Sequence, residues 1–349
     1  MSHIRTSASA AILGFVLSLT ACGVPSSDTD GSSEPSTSTE APSEARDTPS
    51  ETSSERPTRA YMLEQIEAAI EQAEATQGAG TPALWTLADE DTTLYMFGTV
   101  HLLRPELEWR SDAFDEALIS ADKIVFELDT RSEAAQRAMM TDFLPRGMYS
   151  DGRTLTQALN DEDEAVIAAA FDSLGVPIAA MNTFEPWMAS MNLGVMQMTK
   201  DGYDPQSGVE NVIATEAEAA GKAFGYLETI SQQADAFDLL PEADQISMLY
   251  ESALILDETT RVLDVVVAEW ADGDVKGIES LVASPDLSGQ TPAAYESLFV
   301  VRNKAWVPQI EAMLEEPGTV LIAVGAGHLA GPDSVITMLR DKGYTIDGP

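Results

Sequence analysis

The sequence predicts an α/β protein with a central, mainly parallel sheet, built on a duplicated strand, Gly-x-x-His, helix unit and covered by a large helical insertion or cap. Three observations carry that expectation. Residues 92–105 (TTLYMFGTVHLLRP) and 319–332 (TVLIAVGAGHLAGP) align without a gap on Thr, Gly, His, Leu and Pro. In both, an apolar run too short for a helix ends at a glycine, the pattern of a buried strand leaving its sheet. After each phrase comes a helical periodicity and then another β-prone run, and strand, helix, strand in that order makes a right-handed parallel unit.

At the amino terminus, Arg5 gives a positive start, residues 8–19 an apolar stretch, and Leu19-Thr20-Ala21-Cys22 a cleavage site that resembles the bacterial lipobox. Residues 1–22 thus read as a lipoprotein signal peptide with Cys22 as the lipidated residue. Cys22 is the only cysteine, so an intrachain disulfide and a catalytic thiol are both excluded. Residues 23–58 are nearly all Ser, Thr, Glu, Asp and Pro, too polar to offset the entropy of ordering, and read as a disordered acidic tether. Residues 59–349 form the body. It is expected in the bacterial cell envelope, on the periplasmic or extracellular side, attached to the membrane through the lipid anchor only. A formal net charge of −39 repels nucleic acid and bare anionic lipid, so neither is an expected partner.

Within the body, Met62, Leu63, Ile66, Ala69, Ile70 and Ala73 recur at helical spacing, which predicts an amphipathic helix over 59–76. Residues 84–87 and 93–97 flank a polar turn and predict a hairpin that delivers His101. A helix over 111–121 and a strand over 123–128 (KIVFEL) follow, bringing Glu127 to the carboxyl end of a strand expected to neighbour the one ending at His101. A helix over 208–220 and a strand over 222–227 deliver Glu228. The stretches 132–143, 162–174, 185–199, 242–271 and 293–314 read as helices of the cap. The last unit is predicted to close with a helix over 332–341 and a strand over 344–346. Met181, Met188, Met191, Met196 and Met198 read as adaptable core packing.

Chemistry is confined by scarcity. His3 lies in the signal segment, so imidazole chemistry in the body rests on His101 and His328 alone. Gly-x-Ser-x-Gly, Walker, Gly-x-Gly-x-x-Gly and His-Glu-x-x-His patterns are all missing from the sequence. Four groups instead converge on one sheet edge: His101, Glu127, Glu228 and His328. Two imidazoles with one or two carboxylates suit a divalent metal ion that keeps a position for water. The same groups serve equally for general acid and base work without a metal.

The phrases Phe97 to His101, Val125 to Asp129, Gly208-Val209-Glu210, Leu227-Glu228-Thr229, Val301-Arg302-Asn303 and Val324 to Leu329 resemble the TraB/GumN family in order and spacing. That resemblance covers roughly residues 84–344. It implies kinship with the Tiki proteins, described as metal-dependent proteases, and a more distant similarity to erythromycin esterases. It also implies His101, Glu127, Glu228, Arg302 and His328 as the site residues, with Arg302 orienting a carboxylate or stabilising an oxyanion. The expected function is a metal-dependent, peptidase-like hydrolase of a peptide or protein substrate, with His101, His328 and Glu127 as metal ligands and Glu127, Glu228 and Arg302 as catalytic groups. Two alternatives stay open: a peptide-binding protein without turnover, and a metal-free, esterase-like hydrolase with His101 as general base.

Overall fold

The computed structural model describes residues 56–283 and 292–349; Cys22, its signal segment and the tether as far as residue 55 lie outside them. Six strands, β1 (Leu84–Ala88), β2 (Thr92–Thr99), β3 (Lys123–Phe126), β4 (Ala223–Tyr226), β5 (Gly318–Gly325) and β6 (Ile346–Asp347), form one sheet in the order β4-β3-β5-β2-β1-β6. Four adjacent strands, β4, β3, β5 and β2, are mutually parallel, with β4 at the sheet edge, and the hairpin strand β1 and the terminal β6 add antiparallel pairs. The predicted α/β class and mainly parallel sheet are therefore observed.

The two Gly-x-x-His strands lie side by side, with Gly98 opposite Val324 and Thr99 opposite Gly325. Here the structure differs from the sequence expectation, which placed β3 beside β2. The final long strand β5 separates them, because Leu321 to Val324 are apolar on both faces and fully covered, which favours a central position. The closing unit has the predicted strand, helix, strand order. Residues 346–347 pair antiparallel with β1 at the far edge and so run parallel to β5, but β2 and β1 lie between the two strands that the Val335–Asp341 helix connects.

The helical insertion occupies the chain between β3 and β5. Asp161–Ser173, Pro186–Lys200 and Glu242–Leu254 pack around Leu155, Ile167, Phe171, Leu193 and Leu249 as an apolar centre of their own. Met188, Met191 and Met198 are buried within such packing. The helix predicted over 242–271 is broken at Ile255, where the Arg59 guanidinium takes the Leu254 carbonyl, and resumes as Thr259–Asp272. The helix predicted over 293–314 contains a π turn, Glu296–Val300, immediately before Val301–Met313. The first helix, Arg59–Ala73, buries Met62, Ile66, Ala69, Ile70 and Ala73 as its periodicity requires. Just ahead of it Arg56 reaches Asp163 Oδ2 at 2.7 Å and Ser247 Oγ at 2.6 Å, fastening the end of the tether to the cap helices. Among the described residues no helix is long and apolar enough to cross a membrane.

Candidate active site

Parallel strands end together, and that brings the site residues to one edge. His101 follows β2, Glu127 follows β3, Glu228 follows β4, and His328 closes a 3-10 turn (Ala326–His328) after β5. Gly98 allows a close approach at this edge, since a Cβ there would stand 3.0 Å from Ala326 Cα in the turn after the sister strand. All four side chains are buried, as is Arg302, so the guanidinium is no surface group of its helix.

Arg302 is the hub. Its Nε–H donates to Glu228 Oε2 at 3.0 Å, and Nη2 donates to Glu228 Oε1 and Glu127 Oε2, both at 2.6 Å. Nη1 donates to the Leu298 carbonyl at 3.1 Å and lies 3.0 Å from His328 Nε2. Five donors thus meet five acceptors, the full capacity of a guanidinium. The Leu298 carbonyl belongs to the π turn, which turns Arg302 inward. Saturated in this way, Arg302 orients two carboxylates and has no donor left over for an oxyanion.

The hub also sets the state of His328. Because a guanidinium carries only donors, Nε2 must be an acceptor, so the proton sits on Nδ1 and is donated to Asn303 Oδ1 at 2.7 Å. Asn303 is itself fixed by its Nδ2–H on the Asp333 carbonyl at 2.8 Å. Burial first, then the charge of Arg302, hold His328 well below the usual histidine range. It is a neutral imidazole between Trp306 and Phe299, with ring centroids at 4.4 and 5.0 Å.

His101 is differently placed. Its Nδ1 lies 2.5 Å from Glu210 Oε1, and the same carboxylate takes the Thr99 hydroxyl. Glu210 reaches it because the Val209–Ala219 helix starts hard against this loop: Val209 N–H donates to the Val100 carbonyl, and a Cβ on Gly208 would stand 2.1 Å from the His101 carbonyl oxygen. Burial works to raise the Glu210 carboxyl, but the charge and hydrogen bonds of His101 and Thr99 bring it below the ordinary range. Glu127 is shifted the other way, upward, chiefly by burial, against the pull of Arg302 and His101. Its Oε1 accepts the Gly325 N–H at 2.6 Å.

A cavity of about 230 Å³ opens on His101, Glu127 and Glu210, floored by Phe126, Ala214, Phe224 and Ala323. Arg302 and His328 do not line it. Glu228 lines a neighbouring cavity, on the other side of Leu128 and Tyr226. The structure therefore brings all five predicted residues together but divides them: His101 and Glu127 face the cavity, and Arg302, Glu228 and His328 lie behind as a buried network. Glu210 and Asn303 stood inside the recognised phrases without an assigned role. Their importance lies in pairing with the two histidines, which only the fold discloses.

A divalent cation fits this arrangement poorly. Both Glu228 oxygens and one Glu127 oxygen are taken by Arg302, the other Glu127 oxygen by a backbone N–H, and His328 Nε2 by Arg302 again. Among the described residues no group of three or more His, Cys, Asp or Glu side chains is arranged to hold a metal ion. The centre the donors would share is filled by the guanidinium, itself a cation.

Comparison with known proteins agrees with the motif order. The model of the TraB/PrgY/gumN family matches residues 83–348. The chain belongs to that family. Relatives include Uncharacterized protein YbaP of Escherichia coli (strain K12), 21% identical over 259 residues, covering 74% of this chain and 92% of YbaP. Two zebrafish (Danio rerio) relatives are Metalloprotease TIKI1, 22% identical over 76% of this chain, and Metalloprotease TIKI2, 24% identical over 72% of it. The alignments cover 62% and 58% of those two proteins. No solved structure matches.

Proposed function

We propose that this TraB/PrgY/gumN protein is a hydrolase of acyl bonds, acting on peptides, in which His101 and Glu210 handle the proton. The observation that supports it is a cavity where one imidazole is held by an ionised carboxylate and faces a second carboxyl of opposite shift. Two carboxyl groups pushed apart in this way take different roles. Glu210 keeps the His101 Nδ1 proton and stabilises the imidazolium as it forms. Proton transfer then passes through His101 Nε2. A water in the cavity gives a proton to His101 while its oxygen bonds to the substrate carbonyl carbon. Glu127, held toward its neutral form, hydrogen-bonds the carbonyl oxygen as it gains charge. Collapse breaks the carbon–nitrogen bond, and the leaving amine takes the proton from His101. The Arg302 network keeps Glu127 in position.

Peptide bonds are chosen because two relatives are named metalloproteases. Those names also favour a second reading, a metal-dependent one, which requires the Arg302 contacts to open. In either case Cys22 is proposed as a lipid anchor and the tether as the spacer that keeps the body in the envelope, because the lipobox precedes an acidic, apolar-poor stretch. Cys22→Ser should then release the protein into the soluble fraction.

The catalytic reading is tested with Glu127→Gln and His101→Ala on a fluorogenic peptide or ester. Glutamine still offers a neutral donor, so Glu127→Gln should keep measurable turnover, whereas His101→Ala should lose about 10²–10⁴-fold. Equal turnover by wild type and His101→Ala sinks the assignment.

A further inference from the structure

We propose that the outer edge of β4 receives an extended, positively charged peptide as an added strand, with one large apolar or aromatic side chain seated in the cavity beside His101. The proposal rests on the hydrolase reading, since it names how that site takes its substrate.

The edge is open in the required sense. Ala223 N–H donates to the Asp122 carbonyl and Leu227 N–H to the Phe126 carbonyl, so residues 223, 225 and 227 turn their amides toward β3. In a parallel ladder the alternate residues, Phe224 and Tyr226, turn their N–H and C=O groups the other way. Among the described residues no strand pairs with that side. Such an edge binds an extended peptide through main-chain hydrogen bonds, with side-chain pockets giving selectivity.

The cavity is continuous with the edge. Phe224 and Tyr226 line it together with His101 and Glu127, and the strand's carboxyl end points to the catalytic edge of the sheet. A chain laid along β4 is thereby led to His101. The Phe224 and Phe126 rings stack at 6.2 Å and 17° as an apolar floor. An apolar cavity of about 150 Å³ accepts a benzene ring, so one of about 230 Å³ has room for an aromatic side chain.

Charge selects the remainder of the peptide. Besides Glu127, which burial holds toward its neutral form, the carboxylates Glu210 and Glu218 line the cavity against one arginine, Arg131, whose guanidinium is already 2.6 Å from Glu218. Asp129 accepts from the Tyr226 hydroxyl and lines the neighbouring cavity. With a net charge of −39 on the whole chain, lysines flanking the apolar anchor are favoured over acidic residues.

The test is binding of a fluorescein-labelled peptide, Lys-Thr-Lys-Phe-Lys-Thr-Lys, blocked at its carboxyl end, to wild-type protein and to His101→Gln, which removes turnover. Single N-methyl groups are placed along the peptide, leaving the protein intact. Two alternate positions should each weaken binding about tenfold while the position between them does not, because only every second amide faces β4. Phe→Ala in the peptide should weaken binding about 10–100-fold, and bound peptide should slow hydrogen exchange at the Phe224 and Tyr226 amides. Absence of binding, N-methyl effects without alternation, or equal binding when glutamates replace the lysines overturns the proposal. Hydrolysis of a small ester, which needs no edge, reports separately on the hydrolase reading: turnover without the alternation sinks the edge proposal alone, and alternation without any turnover sinks the hydrolase alone.

Discussion

His101 Nδ1 stands 2.5 Å from Glu210 Oε1, two side chains that are 109 positions apart and meet only because a helix begins against the loop after β2. The pairing fixes the imidazole's orientation. It also places a negative charge where a positive one forms during proton transfer. Glu210→Gln keeps the shape and removes the charge, so turnover should fall by about 10²–10⁴-fold with little change in melting temperature. A variant as fast as wild type would remove Glu210 from the mechanism.

Arg302 holds the buried carboxyl groups of Glu127 and Glu228, and its loss leaves three of their oxygens without a donor and the pair without a counter-charge. Arg302→Met should destabilise the fold by about 3–5 kcal/mol, read as a lower denaturation midpoint. Adding Glu127→Gln and Glu228→Gln should recover much of that loss, since neutral amides tolerate burial without a counter-charge. Failure of the triple variant to recover would mean that Arg302 acts mainly through packing, including its stacking over Trp306.

Glu251 lies buried in the cap, and burial pushes its carboxyl up to about 8. A folded value above the unfolded one means that the stability is present below the ordinary carboxylate range and is lost as pH rises toward about 8. Glu251→Gln should therefore melt higher than wild type at pH about 9, by at most about 5 kcal/mol of stability, and nearly the same at pH about 4. Parallel curves across that range would contradict it.

His328 titrates in the opposite sense. Its folded value is depressed, so stability is present above the unfolded value of about 6.5 and is lost as pH falls below it. Wild type should lose melting temperature between pH about 6.5 and 5 with a slope that His328→Gln reduces. An unchanged slope would show that other groups govern acid unfolding.

Much of the fold was legible in the sequence because its signals are local. The two Gly-x-x-His phrases end buried apolar runs, and each run is a strand; the periodicity of Met62, Ile66 and Ile70 gives the first helix directly. The order of strands was not legible: β5 lies between β2 and β3 because of what covers both of its faces, and sequence adjacency carries no record of that. At the site, residue types and phrases marked His101, Glu127, Glu228, Arg302 and His328. Their division into a cavity wall and a buried network depends on a π turn before Arg302 and on the close approach allowed by Gly208, neither of which has a sequence period. Glu210 and Asn303 could have been singled out as carboxylate and amide within the same phrases, but only contact shows which histidine each one serves.

The most direct measurement is single-turnover hydrolysis of a fluorogenic peptide by protein stripped with chelator and verified by elemental analysis to carry less than about one metal per ten chains, an occupancy too low to account for full turnover of one substrate per site. Wild type should still hydrolyse it, and both His101→Ala and Glu210→Gln should not match its rate. If the stripped protein is inert and added divalent cation restores the rate, the His101–Glu210 mechanism is wrong and a metal-dependent one takes its place.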